Sequence, residues 1–186
     1  MIAARNLAGS EGPKFCVVRY GNVLGSRGSV VPFFRALINK GVDHLPVTDD
    51  RMTRFFITLE AGVDFVLGSL AMMTGGEIFI PKIPSIRIAR LATAMAPGLP
   101  QKVVGIRPGE KLHEVMVTED DARFTIALGD RYVILPFTMD SPTYEKYRTA
   151  GEFVPDGFCY SSETNEQWLS DGPLAELVAQ VEGSKS

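Results

Sequence analysis

A short apolar run, followed by a glycine-punctuated loop and then a helical pattern, most constrains the fold of this chain. Residues 15–20 are mostly β-branched or aromatic and are bounded by glycine, which predicts a buried strand. The loop 21–29 contains three glycines. Over residues 30–38 apolar side chains recur on one helical face, and Gly41 ends the pattern. Strand, loop and helix in this order are typical of α/β proteins.

The rest of the chain continues this alternation. Helices are predicted between Thr58 and Gly75 and at residues 85–96, 111–117 and 173–181, with strands at 77–80, 102–106 and 131–135. The helix after Thr58 is expected to bury the stripe Val63, Val66, Leu67, Leu70 and Met73. The periodicity weakens between residues 136 and 168, which we interpret as an ordered extension with little regular structure.

Composition excludes several classes of protein. The chain has 186 residues, 45% of them hydrophobic and 22% charged, which excludes a wholly disordered or collagen-like chain. A formal net charge of -3 argues against general nucleic-acid binding. The apolar runs are too short for a membrane span, so we expect no membrane contact and a cytoplasmic location. His44 and His113 lack the spacing of metal ligands, so we expect no metal site.

The loop 21–29 is the first candidate site. Its glycines allow close backbone approach to a phosphate, and the following helix offers free N–H groups. The spacing GxxxGxxG is neither the dinucleotide fingerprint nor a P-loop. An ordinary strand-to-helix turn therefore remains an equal alternative, although Asn22 and Arg27 add hydrogen-bond donors.

Two further segments carry arginines that are suited to phosphate. Arg54 lies in the basic run 51–56 near the hydroxyl of Thr48, and Arg107 lies in a Pro-Gly turn with Glu110. Such a turn can present a cation for phosphate beside a carboxylate for sugar hydroxyls. Taken singly, each segment is more often a solvated surface turn.

Five segments together resemble one family. They are RYGNVLGSRGSVVPFF at 19–34, TDDRMTRFFIT at 48–58, GGEIFIPKIPS at 75–85, IRPGEKLHEVM at 106–116 and YSSETNEQWL at 160–169. In this order they closely resemble the inverting UDP-N-acetylglucosamine 4,6-dehydratases. These are extended short-chain dehydrogenase/reductase proteins related to the CapD-like polysaccharide biosynthesis group.

The resemblance implies the fold class and a division of the chain. The fold would be α/β, the C-terminal part of an NAD(P)-binding Rossmann-type extended short-chain dehydrogenase/reductase fold with its smaller substrate-binding region. Residues 1–45 would end the Rossmann-type region, residues 46–135 would form the UDP-sugar-binding region, and residues 136–186 would be a C-terminal extension with a final helix.

The resemblance also implies a reaction, a cofactor and a partner. Such lyases oxidise a UDP-N-acetylglucosamine or similar UDP-sugar at C4, remove water across C5 and C6 with inversion at C5, and return the hydride at C6. The cofactor would be NADP, regenerated in each turnover. The UDP-4-keto-6-deoxy-hexosamine product would serve surface glycan or pseudaminic acid biosynthesis. The complete enzyme would be a homo-oligomer.

Site residues follow from the resemblance position by position. The nicotinamide end of NADP would lie against Val23, Leu24, Gly25, Ser26 and Arg27. The UDP-sugar would contact Asn22, Val30, Thr48, Arg54, Arg107 and Glu110. Among these, Arg107 and Glu110 would hold the diphosphate and the uridine ribose.

The family's catalytic motifs are not found in this sequence. The GxxGxxG loop, the catalytic Asp-Lys pair and the YxxxK motif belong upstream of the RYGNV strand, so no residue here is assigned a catalytic role. We expect these 186 residues alone to be inactive. The alternatives are a stand-alone or inactive nucleotide-sugar-binding module, and a related UDP-sugar epimerase.

Overall fold

The computed structural model describes residues 13–137 and 141–183. The helices are α1 (Val30–Asn39), α2 (Leu59–Met72), α3 (Ile88–Met95), α4 (Glu119–Ala122), α5 (Ser141–Ala150) and α6 (Asp171–Gly183). The strands are β1 (Val17–Val18), β2 (Asn22–Val23), β3 (Leu45–Val47), β4 (Thr53–Ile57), β5 (Ile78–Pro81), β6 (Ser85–Arg87), β7 (Gln101–Val103), β8 (Val115–Val117), β9 (Thr125–Leu128), β10 (Arg131–Ile134), β11 (Glu152–Phe153) and β12 (Tyr160–Ser161).

Contacts between residues divide the chain into two compact units that interleave along the sequence. Unit one contains the residues up to Tyr20, together with Glu60–Lys82 and Val115–Tyr160. Unit two contains Gly21–Leu59, Ile83–Glu114 and the residues from Ser161 onward. The three regions expected from the sequence are defined by function, and contacts between residues do not test such a division. Residues 1–12 of the first region lie outside the described residues.

Unit one is built on a mixed sheet with the order β1-β5-β10-β9-β11. Strands β1 and β5 are parallel, whereas the other neighbours are antiparallel. Phe79, Ile126 and Val133 are fully buried in the core of this unit. Phe65 of α2 and Tyr147 of α5 join the same apolar cluster, so both helices contribute to this core.

The helix α2 exists, but the apolar stripe predicted for it is wrong except for Met73, which follows the helix and packs against the core. Val63, Leu67 and Leu70 are 49%, 58% and 62% exposed. The buried face contains Phe65 and the small residue Ser69 instead. The Arg131 guanidinium lies over the Phe65 ring at 4.6 Å, with Nη1 3.3 Å from Ser69 Oγ. The inward face of α2 thus contacts a buried arginine, and counting aliphatic residues cannot show such a contact.

The described residues of unit two form two small sheets and three helices. Strand β4 pairs in parallel with β2 and antiparallel with β6, and β3 pairs in parallel with β7. Helices α1, α3 and α6 supply the rest of the core, with Phe34, Leu91 and Leu174 all about 1% exposed or less.

A close backbone approach fixes the start of β2. A Cβ atom at Gly21 would lie 2.5 Å from both the carbonyl oxygen and the Cβ of Phe55 in β4. Only glycine fits this gap without a shift of the backbone. Gly21 therefore allows the chain to enter β2 directly beside β4.

The predicted helix at 111–117 is wrong. Residues 111–114 have no regular structure and lead into β8. Arg54 takes the carbonyl groups of Lys111 and Leu112, which a helix would use for its own ladder. Side-chain hydrogen bonds from a neighbouring strand thus override the local helical pattern.

Other boundaries move by smaller amounts. The strand expected at 15–20 is confined to β1, the predicted strand at 102–106 begins earlier as β7, and the predicted helix at 85–96 begins as strand β6 before α3. Within the extension, α5 was missed because its sequence is polar and Tyr147 is the one side chain of its described residues that is buried.

Candidate functional site

Unit two contains a cleft of about 560 Å³ between α1, β3, β4 and the loop that follows β7. All six residues predicted to contact a UDP-sugar line this cleft. They are Asn22, Val30, Thr48, Arg54, Arg107 and Glu110. The five residues predicted for the cofactor do not line it.

The N-terminus of α1 forms one wall of the cleft. Gly28, with φ of +79°, turns the chain so that Ser29 occupies the N-cap position of the helix. The Ser29 Oγ atom is buried and has no hydrogen-bond partner within the described residues. The first N–H groups of an α-helix are also unpaired within the helix and attract anions. Ser29 was not singled out from the sequence, although a serine directly before a helical pattern is a typical N-cap.

The turn that carries Arg107 and Glu110 is closed by its own hydrogen bonds. The Glu110 N–H donates to the Arg107 carbonyl oxygen at 3.0 Å, and the Arg107 N–H donates to Glu110 Oε2 at 3.3 Å. Gly109 adopts a φ of 82°, which the turn requires. Over residues 13–137 and 141–183 the structure gives the Arg107 guanidinium no hydrogen bond or ion pair, so its donors are available to a ligand.

Arg54 has a different role from Arg107. Its Nη1 atom donates to the carbonyl oxygens of Thr53 and Leu112 at 2.7 and 3.0 Å, and its Nη2 atom donates to that of Lys111 at 2.7 Å. Its side chain is only 13% exposed. Most of its donors therefore hold the loop after β7, and this side chain shapes the cleft at least as much as it offers charge to it.

Asn22 reaches the cleft from β2. Its Nδ2 atom donates to Glu114 Oε1 at 3.0 Å and to the Phe55 carbonyl oxygen at 3.3 Å. The second carboxylate oxygen of Glu114 accepts from the Phe55 N–H at 3.1 Å. Glu114 was not predicted, because its motif segment was interpreted as a helix.

A buried hydroxyl network supports this part of the cleft. Thr53 Oγ1 lies 2.7 Å from both Ser162 Oγ and His113 Nδ1. Ser162 Oγ accepts from the Glu114 N–H at 2.9 Å, and the Ser162 N–H donates to the Glu114 carbonyl oxygen at 2.8 Å. His113 therefore has a structural partner in Thr53, and its Nε2 lies 3.5 Å from Glu163 Oε1.

The residues predicted for the cofactor form the loop between β2 and α1. Leu24 packs into the core of unit two, and Ser26 donates its N–H to the Val23 carbonyl oxygen at 3.2 Å. Gly25 has a φ of 74°, and the side chains of Ser26 and Arg27 are exposed.

The first arginine of the basic run 51–56 is paired with a neighbouring carboxylate. The Arg51 guanidinium binds both carboxylate oxygens of Asp49, at 2.9 and 2.8 Å. This pairing holds the pKa of Asp49 well below its usual value. Arg51 thus matches the solvated turn that was the alternative interpretation of this segment.

Comparison with known proteins places the chain in a family. Residues 1–136 match the family model described as "Polysaccharide biosynthesis protein". The chain belongs to this family. A UDP-N-acetylglucosamine 4,6-dehydratase (inverting) from Campylobacter jejuni (strain 81-176) is 51% identical over 98% of the chain, which covers 56% of that protein.

Two other relatives are more distant from the chain. A UDP-glucose 4-epimerase from Rickettsia canadensis is 40% identical over 141 residues, 74% of the chain and 41% of that protein. An X-ray structure of Pen from Bacillus thuringiensis superposes with a TM-score of 0.79 at 30% identity, over 97% of the chain and 54% of the Pen chain.

These findings confirm the family resemblance and the fold class for this member of the polysaccharide biosynthesis protein family. The chain is an α/β protein of the extended short-chain dehydrogenase/reductase type, in which β1 and β5, β2 and β4, and β3 and β7 pair in parallel. It is a partial match to its relatives, because it spans about half of their length. The part of the chain that the structure describes has no helix long and apolar enough to cross a membrane.

Proposed function

We propose that the chain is the UDP-sugar-binding C-terminal part of a C5-inverting UDP-N-acetylglucosamine 4,6-dehydratase. The observation that carries this proposal is the cleft of unit two, where the six residues that the family pattern assigns to the UDP-sugar line one cavity. Identity of 51% to an inverting dehydratase, against 40% to the epimerase, favours the dehydratase over the epimerase.

Arg107 and the N-terminus of α1 are the groups best suited to bind the diphosphate. Arg107 offers an unengaged guanidinium, and the Ser29 hydroxyl and the helix N-terminus add further donors in the same cavity. Glu110 and Thr48 supply acceptors for ribose hydroxyls. We assign Arg54 mainly to holding the loop that carries Arg107.

The residues of the loop between β2 and α1 fit one edge of a nicotinamide nucleotide. Two glycines with positive φ, Gly25 and Gly28, allow close approach, and Ser26 and Arg27 are exposed donors. We propose NADP as the cofactor, which when bound would accept the hydride from C4 of the sugar and return it at C6. The residues of this loop would hold that nucleotide in place.

The wider setting is also part of the proposal. The complete enzyme would work as a homo-oligomer in the cytoplasm and supply surface glycan or pseudaminic acid biosynthesis. The chain by itself would bind the UDP-sugar without converting it, since its sequence has no YxxxK motif.

Binding of UDP-N-acetylglucosamine to the 186-residue chain, measured by isothermal titration calorimetry, tests the proposal. The variant Arg107→Gln should bind UDP roughly tenfold more weakly, because a charge-assisted contact to phosphate is lost. Arg123→Gln, which removes an exposed arginine of unit one, should bind as the unmodified chain does. Absence of binding, or equal loss in both variants, would contradict the proposal.

A further inference from the structure

The orientation of the Asn22 amide is forced by its neighbours. Nδ2 faces Glu114 Oε1 and the Phe55 carbonyl oxygen, at 3.0 and 3.3 Å. A carboxylate and a carbonyl oxygen only accept hydrogen bonds, so the amide cannot be flipped without placing oxygen against oxygen.

The amide oxygen of Asn22, Oδ1, therefore faces the cleft. Both amide hydrogens of Asn22 are engaged, and among the described residues its Oδ1 atom has no hydrogen-bond partner. A carbonyl oxygen accepts hydrogen bonds and repels phosphate oxygens. The amide that the sequence suggests as a donor is thus an acceptor in this geometry.

We propose that Glu114 is a positioning residue that fixes Asn22 as a hydrogen-bond acceptor for the sugar of a nucleotide-sugar ligand. This proposal rests on the proposed function. The diphosphate has no donor to offer Asn22, whereas an N-acetylhexosamine carries hydroxyls and an amide N–H. Asn22 then discriminates for the sugar, and Arg107 serves the diphosphate.

Glu114 is itself held firmly enough for this role. Its backbone makes two hydrogen bonds to Ser162, and Thr53 ties Ser162 to His113. Its carboxylate oxygen Oε1 accepts from Asn22 Nδ2 and lies 3.7 Å from Arg54 Nε, and its Oε2 accepts from the Phe55 N–H. Ordered support of this kind fixes a side chain in one orientation.

A glutamine at position 114 cannot accept both of these hydrogen bonds. Its amide has a single acceptor oxygen, whereas Glu114 uses two. In Glu114→Gln either the Phe55 N–H loses its partner or Asn22 faces an NH₂ group and turns over. The second outcome would present the Asn22 amide hydrogens to the cleft.

The test compares Glu114→Gln with Glu163→Gln in the 186-residue chain. Both changes remove one negative charge, and Glu163 is 61% exposed and lies beside His113. We expect Glu114→Gln to weaken the binding of UDP-N-acetylglucosamine about fivefold, which is the factor for one lost hydrogen bond. The affinity for UDP should stay equal or increase. The Asn22 side-chain amide signals in ¹H–¹⁵N spectra should shift in Glu114→Gln and stay fixed in Glu163→Gln.

Opposite results would overturn the inference. If Asn22 donates to phosphate, Glu114→Gln will increase the affinities for UDP and for UDP-N-acetylglucosamine by the same factor. Unchanged Asn22 amide signals would show that Glu114 does not orient this residue. Should Glu114→Gln fail to fold, Asn22→Ala replaces it and is expected to weaken the UDP-sugar but not UDP.

Failure of the proposed function has a separate signature. If the unmodified chain binds neither UDP nor UDP-N-acetylglucosamine, the nucleotide-sugar function is refuted and the assignment of Asn22 to the sugar is refuted with it. The amide spectra of the free chain still decide whether Glu114 orients Asn22.

Discussion

Three arginines of unit two carry the same charge but have different partners. Arg51 binds a neighbouring aspartate, Arg54 binds backbone carbonyl groups, and Arg107 has its guanidinium open to the cleft. The planar guanidinium suits the second role, because it can donate to several acceptors in fixed directions. The roles of these residues follow from the atoms around them more than from their charge.

Replacing Arg54 with lysine should destabilise the protein. An ammonium group cannot reach the carbonyl oxygens of Thr53, Lys111 and Leu112 together, so some of these acceptors, two of them in part-buried hydrogen bonds, lose their donor. We expect the free energy of unfolding in urea to fall by about 1–3 kcal/mol. Arg51→Lys, at a side chain that is 69% exposed, is the control and should change it little. Equal unfolding midpoints for the two variants would contradict this role of Arg54.

The residues of the cleft illustrate what a sequence can and cannot predict. Asn22, Thr48 and Arg107 were predicted from a family pattern, and the structure brings them to one cavity. Glu114 was missed because its importance lies in contacts to residues 92 and 59 positions away. Contacts at such separations leave no local periodicity in the sequence.

At the scale of elements, local pattern predicts a helix better than the face it buries. The helices α1 and α2 were both predicted, yet α2 turns its aliphatic residues outward. The helix α5 was missed since a single described side chain, Tyr147, anchors it in the core. The buried face of each helix depends on a tertiary partner, which is Arg131 for α2 and Glu77 for α5.

The contact between α5 and the start of β5 should give stability that is lost at alkaline pH. The Tyr147 hydroxyl donates to the buried Glu77 carboxylate at 2.9 Å, and Glu77 also accepts from Thr74 and Gly75. Burial and the charge of Glu77 raise the pKa of Tyr147 above its ordinary value of 10.0. The stabilisation is therefore complete below about pH 10 and is lost as the pH rises further, because the unfolded tyrosine ionises first.

Unfolding of Tyr147→Phe in urea at several pH values measures this effect. Near pH 8 the variant should be less stable by about 1.5–3 kcal/mol, the usual range for a hydrogen bond to a charged group. The difference from the unmodified chain should shrink above pH 10. Tyr144→Phe, at an exposed position on the same helix, should keep the unmodified pH profile. A stability difference that is constant from pH 8 to pH 11 would exclude this linkage.

At the scale of the whole molecule, the chain crosses between its two units several times. Unit one receives β1, β5 and β10 from three separate segments, and its sheet has β1 at one edge. An arrangement of this kind follows from long-range strand pairing, in which segments far apart in the sequence become neighbours in one sheet. The sheet edge and the outward face of α2 both belong to unit one.

The exposed face of α2 should make the chain associate with itself. Val66 and Leu59 extend the apolar surface formed by Val63, Leu67 and Leu70, and a contiguous apolar helix face in water favours association. We expect the sedimentation coefficient of the unmodified chain to rise with concentration, and that of Leu67→Lys/Leu70→Glu to stay at the value of a single chain. The matched double variant Val103→Glu/Ile106→Lys changes two exposed apolar residues of unit two and should associate as the unmodified chain does. A sedimentation coefficient of the unmodified chain that does not change with concentration would show that this helix face does not cause association. Association of Leu67→Lys/Leu70→Glu would show that another surface forms the contact.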